Sequence, residues 1–217
     1  MDIEHLEEQI EVGNIAAVKE ILLQKPDLAR CQTSHQTSAL MLACYYKRKD
    51  IASLISEYIN NLTIFDACAV GKFEEVTLAI FKNPGLINEF SADGFTPLGL
   101  SCLFNHEQLA KFLLLKGADV NLPSKNGFNV FPLHSAVAAN NYNITQMLLE
   151  AGAYPNVCQK AGIAPLHTAA QLGNIELIIL LLEHGAEVSL RMEGGKLPAD
   201  LAQEKGFEEI AVILREE

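Results

Sequence analysis

Few side chains in this chain have the type and spacing that chemistry requires. Among its six histidines, His134 and His167 both follow a Pro-Leu pair, and each could serve as a general base or a ligand. Five cysteines, Cys31, Cys44, Cys68, Cys102 and Cys158, are odd in number, scattered and free of any C-x-x-C spacing. They signal neither a disulfide framework nor a paired zinc site. No serine or cysteine sits in a nucleophile-elbow context, no glycine run resembles a phosphate cradle, and H-E-x-x-H is absent. The chain is therefore expected to be non-catalytic, with no metal and no cofactor.

Composition narrows the classes further. With 49% apolar and 20% charged residues, 217 residues can bury enough surface to offset their ordering entropy. A net charge of -11 disfavours neutralising the phosphates of a nucleic acid. The acidic opening, MDIEHLEEQIEVGN, shows no secretory signal, and no apolar run approaches the roughly 18 residues needed to span a bilayer. The expectation is a soluble, cytoplasmic protein with no nucleic-acid or membrane partner.

The elements that position these residues come from an internal period. Aligning ADGFTPLGLSCLFNH, NVFPLHSAVAANN, AGIAPLHTAAQLGN and GGKLPADLAQEKGF on Pro97, Pro132, Pro165 and Pro198 gives spacings of 35, 33 and 33, so half of the eight prolines mark one recurring place. Gly117, Gly152 and Gly185 follow twenty residues after the first three. Pro suits the first helical position, where its missing N–H costs nothing, and Gly suits the left-handed turn that ends a helix. Each unit thus reads as a short helix from Pro, a tight turn, and a second helix ending at Gly.

Mid-unit turns are expected at Gly13, Lys47, Gly71, Asn105, Asn140, Gly173 and Gly206, at spacings of 34, 24, 34, 35, 33 and 33. The 24 means that about ten residues of connector are missing near residues 59–62. The other connectors carry Asp93-Gly94, Asn126-Gly127 and Gly194-Gly195, dipeptides that favour tight β-hairpin tips. The fifth unit has two extra residues before Pro132, so its tip is expected to bulge.

This period of about 33, with T-P-L-H-x-A-like openings such as APLHTAAQLGN and closings such as LLLKGADVN and LLEHGAEVS, resembles the ankyrin repeat. The resemblance implies an all-α solenoid of about seven helix-turn-helix units in one domain over residues 1–217. Unit one (about 1–34) and unit seven (about 191–217) would be caps, with units two to six at about 35–190. The caps depart from the motif through polar residues such as Gln9, Asp200, Gln203 and Glu204, as solvated ends should. The acids Asp2, Glu4, Glu7, Glu8 and Glu11, and Glu204, Glu208, Glu209, Glu216 and Glu217, fit the same reading. Unit two matches weakly, with Met41 at the His position and Lys47 at the Gly position.

The resemblance also assigns His134 and His167 a structural hydrogen bond that ties adjacent units. Cys44, Cys68 and Cys102 share the position that Val137 and Ala170 fill, and read as small packing residues. The basic run Lys47, Arg48 and Lys49 falls in a helix turn, either solvated or available to a ligand.

In this family the hairpin tips and the open face of each first helix form a concave side that usually binds protein. Directly after the tips stand Phe95, Phe128 and Ile163; on the first helices stand Tyr45, Tyr46, Val70, Leu103, Phe104, Gln171 and Leu172. Most are apolar or aromatic where an unpartnered solenoid should be polar, which points to an interaction site. The competing reading is that these side chains pack on one another. The expected function is a monomeric adaptor or inhibitor that binds a protein on this face. An obligate subunit or homodimer, and an enzyme whose site assembles only in space, are the alternatives.

Overall fold

The computed structural model describes residues 3–216, and the side chain of residue 216 is not among what it describes. These residues form fourteen α-helices with 3-10 turns at Pro26–Arg30, Pro84–Asn88 and Lys160–Gly162. The expected acids Asp2 and Glu217 lie outside the described residues. Two compact bodies are distinguished: Met1–Leu86 with Ser91–Asp93, and Ile87–Phe90 with Gly94–Glu217.

The first body holds α1 (Ile3–Val12), α2 (Ile15–Gln24), α3 (Ala39–Tyr45), α4 (Lys49–Glu57), α5 (Ile64–Val70) and α6 (Phe73–Lys82). Each odd helix packs on the even helix that follows, α1 on α3, α3 on α5, and α2 on α4. Their buried faces make one core around Leu6, Ile10, Leu22, Leu40, Ile51 and Ile55. Side-chain caps start the short helices: Ser38 Oγ accepts the Met41 N–H at 3.0 Å, and Thr63 Oγ1 accepts the Asp66 N–H at 3.0 Å.

The second body repeats the scheme with α7 (Pro97–Leu103), α8 (Glu107–Leu115), α9 (Pro132–Ala138), α10 (Tyr142–Glu150), α11 (Pro165–Leu172), α12 (Ile175–Glu183), α13 (Pro198–Glu204) and α14 (Glu208–Glu216). All four marker prolines open their helices, as expected. The seven residues expected at mid-unit turns all have positive φ, from 56° at Asn140 to 84° at Gly206. Lys47, in the weakest motif, is among them at 57°. At Gly173 the demand for glycine is double, because φ is 69° and an added Cβ would lie 2.4 Å from Cζ of Phe207.

Neighbouring helix pairs of the second body are joined through backbone groups. His134 accepts the Phe131 N–H on Nδ1 at 3.3 Å, capping its own helix, and its Nε2 donates to the Ile163 carbonyl at 2.9 Å. His167 repeats this with the Ala164 N–H at 3.1 Å and the Lys196 carbonyl at 3.3 Å. Only a neutral ring does both. Burial lowers His134 to about 4 against opposing backbone hydrogen bonds, and lowers His167 in the same direction. The resemblance's assignment of these histidines thus matches their geometry. Asp200 occupies the equivalent place in α13 and accepts the Leu197 N–H at 2.9 Å, but a carboxylate has no proton to pass onward. That backbone bond, then Arg215, holds its carboxyl below the usual range.

Asparagines make a second set of links. Asn121 donates to the Gly152 carbonyl at 3.0 Å and accepts the Tyr154 N–H at 3.0 Å. Asn156 does the same one pair later, with the Gly185 carbonyl at 2.9 Å and the Glu187 N–H at 2.9 Å.

The expected β-hairpin connectors do not appear as paired strands. Among the described residues no strand forms, only the isolated bridges Gln32↔Ser38 and Gln159↔Ile163. The tips are turns with one backbone bond across, such as Ser124 N–H to Val130 O at 2.9 Å, joined at Thr33–Thr37, Gln159–Ile163 and Met192–Lys196 by a shorter turn bond inside, and too few residues pair for a ladder. Neighbouring tips instead share one backbone bond each: Lys125 N–H to Gly94 O, Lys160 N–H to Phe128 O, and Glu193 N–H to Ala161 O, at 2.7–2.8 Å. The two extra residues of the fifth unit lengthen its tip, whose closing bond joins Ser124 to Val130 where the next tip joins Gln159 to Ile163.

Gly206→Ala meets no atom within 4 Å and carries only the left-handed penalty, so it should lower stability by about 1 kcal/mol in urea unfolding. Gly173→Ala adds the Phe207 clash and should cost about 3 kcal/mol; equal losses would place Phe207 elsewhere. For His134, the unfolded chain takes up its proton near pH 6.5 while the folded chain resists to about 4. Stability should therefore fall as pH drops through this window, by about 2–3 kcal/mol at pH 4.5, with His167 adding in the same sense. The His134→Gln variant should show a shallower fall in urea unfolding from pH 7 to 4.5.

Candidate functional site

The expected binding positions divide between the two bodies. Tyr45, Tyr46 and Val70 lie in the first, and Phe95, Leu103, Phe104, Phe128, Ile163, Gln171 and Leu172 in the second. They are not equivalent in exposure. Tyr46, Phe128 and Leu172 are open to solvent at 40%, 53% and 42%, and Gln171 is exposed. Val70, Leu103, Phe104 and Ile163 are half-buried, and Val70 packs on the first core.

Phe95 corrects the expectation. At 9% exposure it is buried, and its Cδ1 lies 3.5 Å from where a side chain on Gly99 would begin. Gly99 stands where α9 and α11 carry histidine, so no imidazole competes with the ring for that space. Ala69, beside Val70, is also buried. The open positions are tethered as well as exposed. Tyr46 donates its hydroxyl to Glu11 Oε1 at 3.0 Å, a bond that raises its pKa. The Phe128 ring carries the Lys160 ammonium 4.9 Å from its centroid, leaving an aromatic face half-covered by a cation.

Tyr45 is held differently. It donates its hydroxyl to Asp93, which also accepts the Ser91 hydroxyl. Burial first, then that bond, drives its pKa far above the ordinary tyrosine range. One helix on, Asp66 is buried in the position that His134 and His167 occupy elsewhere, and accepts Ser38 Oγ and Thr63 Oγ1 at 2.6 Å each. Asp93 was legible in the sequence only as half of a turn dipeptide, and Asp66 was passed over; its one signal is its place three residues into α5, where α9 and α11 carry histidine.

The remaining candidates have structural surroundings. None of the five cysteines is in a disulfide, and Cys68 and Cys102 are fully buried. Burial, then Asp66, pushes Cys44 up to about 12, so its thiol is inert at neutral pH. In the basic run, Arg48 donates to the Glu11 carbonyl at 2.6 Å and lies against the Gly13 turn. Glu7, expected in a solvated acidic face, is buried and accepts the Ser34 N–H and hydroxyl at 2.7 Å each. That face is polar but not solvated at Glu7. Among the described residues, no group of three or more His, Cys, Asp or Glu could hold a metal, and no helix is long and apolar enough to cross a membrane.

Known proteins resemble this chain in sequence. The chain is 27% identical over 159 residues to the yeast (Saccharomyces cerevisiae) target of rapamycin complex 2 subunit AVO2, covering 68% of this chain and 37% of that protein. It is 28% identical over 102 residues to the probable 26S proteasome regulatory subunit p28 of the same yeast, covering 46% and 44%. To the rat (Rattus norvegicus) ankyrin repeat and SAM domain-containing protein 6 it is 34% identical over 124 residues, covering 57% and 11%. The chain spans less than half the length of each of these relatives. The family model for ankyrin repeats in three copies matches residues 64–159 and 133–217. With the capped helix pairs, the bridging histidines and most of the chain within that match, the protein belongs to the ankyrin-repeat family.

Proposed function

We propose that this chain is a non-catalytic protein-interaction module, an adaptor or inhibitor that binds a protein partner through apolar and aromatic side chains on the inner side of its repeats. The observation that carries this reading is the exposure of Tyr46, Phe128 and Leu172 at the positions the family uses for binding. Polar side chains would cost nothing there, and exposed aromatics concentrate binding energy at interfaces. The exposed apolar side chains Phe81 and Leu115 on the second helices stand outside those positions. A repeat array held by its neighbours has little left to order on binding. In this reading the chain comprises seven repeats as one domain over residues 1–217 and works as a cytoplasmic monomer without a cofactor, nucleic acid or membrane.

The second reading is a regulatory or structural subunit of a permanent assembly or homodimer. It is supported by two relatives whose names describe complex subunits.

With Phe128→Ala and Leu172→Ala together, affinity capture from the source cell should recover the partner of the unaltered chain at least tenfold less. Thermal unfolding should stay nearly unchanged, since both side chains are exposed; full recovery of the partner would refute the inner-face reading. Phe95→Ala should instead lower stability by about 3 kcal/mol, as burial of its ring requires. Light scattering should report a monomer at micromolar concentration for the adaptor and a larger species for the homodimer.

A further inference from the structure

In the second body every tip hands one backbone hydrogen bond to the next, with the Lys125 N–H on Gly94 O and the Lys160 N–H on Phe128 O. The first body breaks this relay. Between α4, capped at Tyr58, and α5, capped at Thr63, only four residues intervene, too few to build a tip. The tip at residues 33–37 therefore has no successor, and residues 91–93 have no predecessor. Ala92 stands where Lys125 stands one unit later, just before the turn dipeptide; it is exposed, and among the described residues its N–H has no hydrogen-bond partner. Gln36 matches Gly94 in its left-handed φ, 60° against 81°, and its carbonyl accepts the Gln32 side chain alone.

Where the tip is missing there is a cleft of about 160 Å³. It is lined by Thr37 and Ser38 from one tip, Ala92 and Asp93 from the other, and Phe65 and Asp66 of α5. That volume is close to the ~150 Å³ that takes up a benzene-sized group. Asp66 and Asp93 receive neutral donors: Ser38 and Thr63 hydroxyls on one, Tyr45 and Ser91 hydroxyls on the other. Among the described residues neither carboxylate has a cationic partner within salt-bridge distance. Hydroxyls satisfy the lone pairs but leave the charge, so two negative groups face one cleft beside an unsatisfied backbone donor.

We propose that this gap is a docking site for an extended segment of a partner protein that carries a lysine or arginine. The segment supplies the missing tip. Its carbonyl accepts the Ala92 N–H as Phe128 O accepts that of Lys160, its N–H donates to Gln36 O as Lys125 does to Gly94 O, and its cation sits with Asp66 and Asp93. The chain contains its own template in Leu122–Phe128, LPSKNGF, a tip with a basic residue at the pairing position. The inference rests on the protein-binding reading but uses none of its inner-face anchors.

The test titrates the ¹⁵N-labelled full chain with the acetylated, amidated peptide LPSKNGF and with its Lys-to-Glu counterpart. The native peptide should move the amides of Thr37, Phe65 and Ala92 saturably, and the glutamate peptide should bind at least tenfold more weakly. Inserting a copy of residues 120–129 between Asn60 and Asn61 should fill the gap and abolish binding, with thermal unfolding unchanged or raised. The Phe128→Ala, Leu172→Ala chain should bind the peptide within twofold of the unaltered one, so failure of the inner face and failure of the gap are read separately. The proposal is overturned if no saturable shift appears at about 5 mM peptide, a concentration that would detect millimolar affinity. Equal binding of the glutamate peptide overturns it too, as does a dimer in light scattering that the insertion abolishes, since a second copy would then fill the gap.

Discussion

Short helices of seven to ten residues are marginal alone; packing on their neighbours holds them, and the backbone groups satisfied across those neighbours fix how they pack. His134 shows the constraint most clearly. One ring nitrogen accepts an orphan N–H at the start of its own helix and the other donates to a carbonyl of the next connector, while burial keeps the ring neutral and able to do both. Each such bond is worth only about 1 kcal/mol net, but an unmet buried carbonyl or N–H costs more, so the links select one register. Asn121 and Asn156 enforce the same register from the other end of the repeat.

Where a repeat departs from the histidine link, its third helical position does something else. At α7 the histidine is replaced by Gly99, and Phe95 turns inward beside it. At α5 it is replaced by Asp66, which draws on the hydroxyls of Ser38 and Thr63. At α13 Asp200 keeps the cap and meets Arg215. A single sequence position thus sets whether a repeat passes a proton donor forward, packs an aromatic, or presents a charge. The reading of the gap is built on one of these local departures, Asp66, whereas the inner-face reading rests on Phe128 and Leu172 in repeats that keep the histidine.

The repeat was legible because its markers report backbone conformations that few residues tolerate. Proline at the first helical position and glycine or asparagine at a left-handed turn are demanded locally, by sterics within a few residues. Even Lys47 takes the expected left-handed turn against the preference of its own residue type, closed by the Lys47 N–H on Cys44 O and the Arg48 N–H on Ala43 O. The tips were less legible. Asp93-Gly94 and Asn126-Gly127 promise a hairpin, yet a strand needs several paired residues, and each tip pairs with its neighbour through one bond.

Burial is the part that spacing alone does not reach. Phe95 and Phe128 follow equivalent glycines, yet one ring is buried and the other exposed under a lysine. Glu7 looked like solvent-facing charge and is instead bonded by Ser34, 27 residues away. By itself the sequence determined the period, the helix starts, the left-handed turns and the short connector, because these depend on interactions within about one repeat. Which aromatic faces water, which carboxylate is enclosed, and what lines the gap were decided by the tertiary structure, because they depend on what a neighbour some thirty residues away brings to the same place.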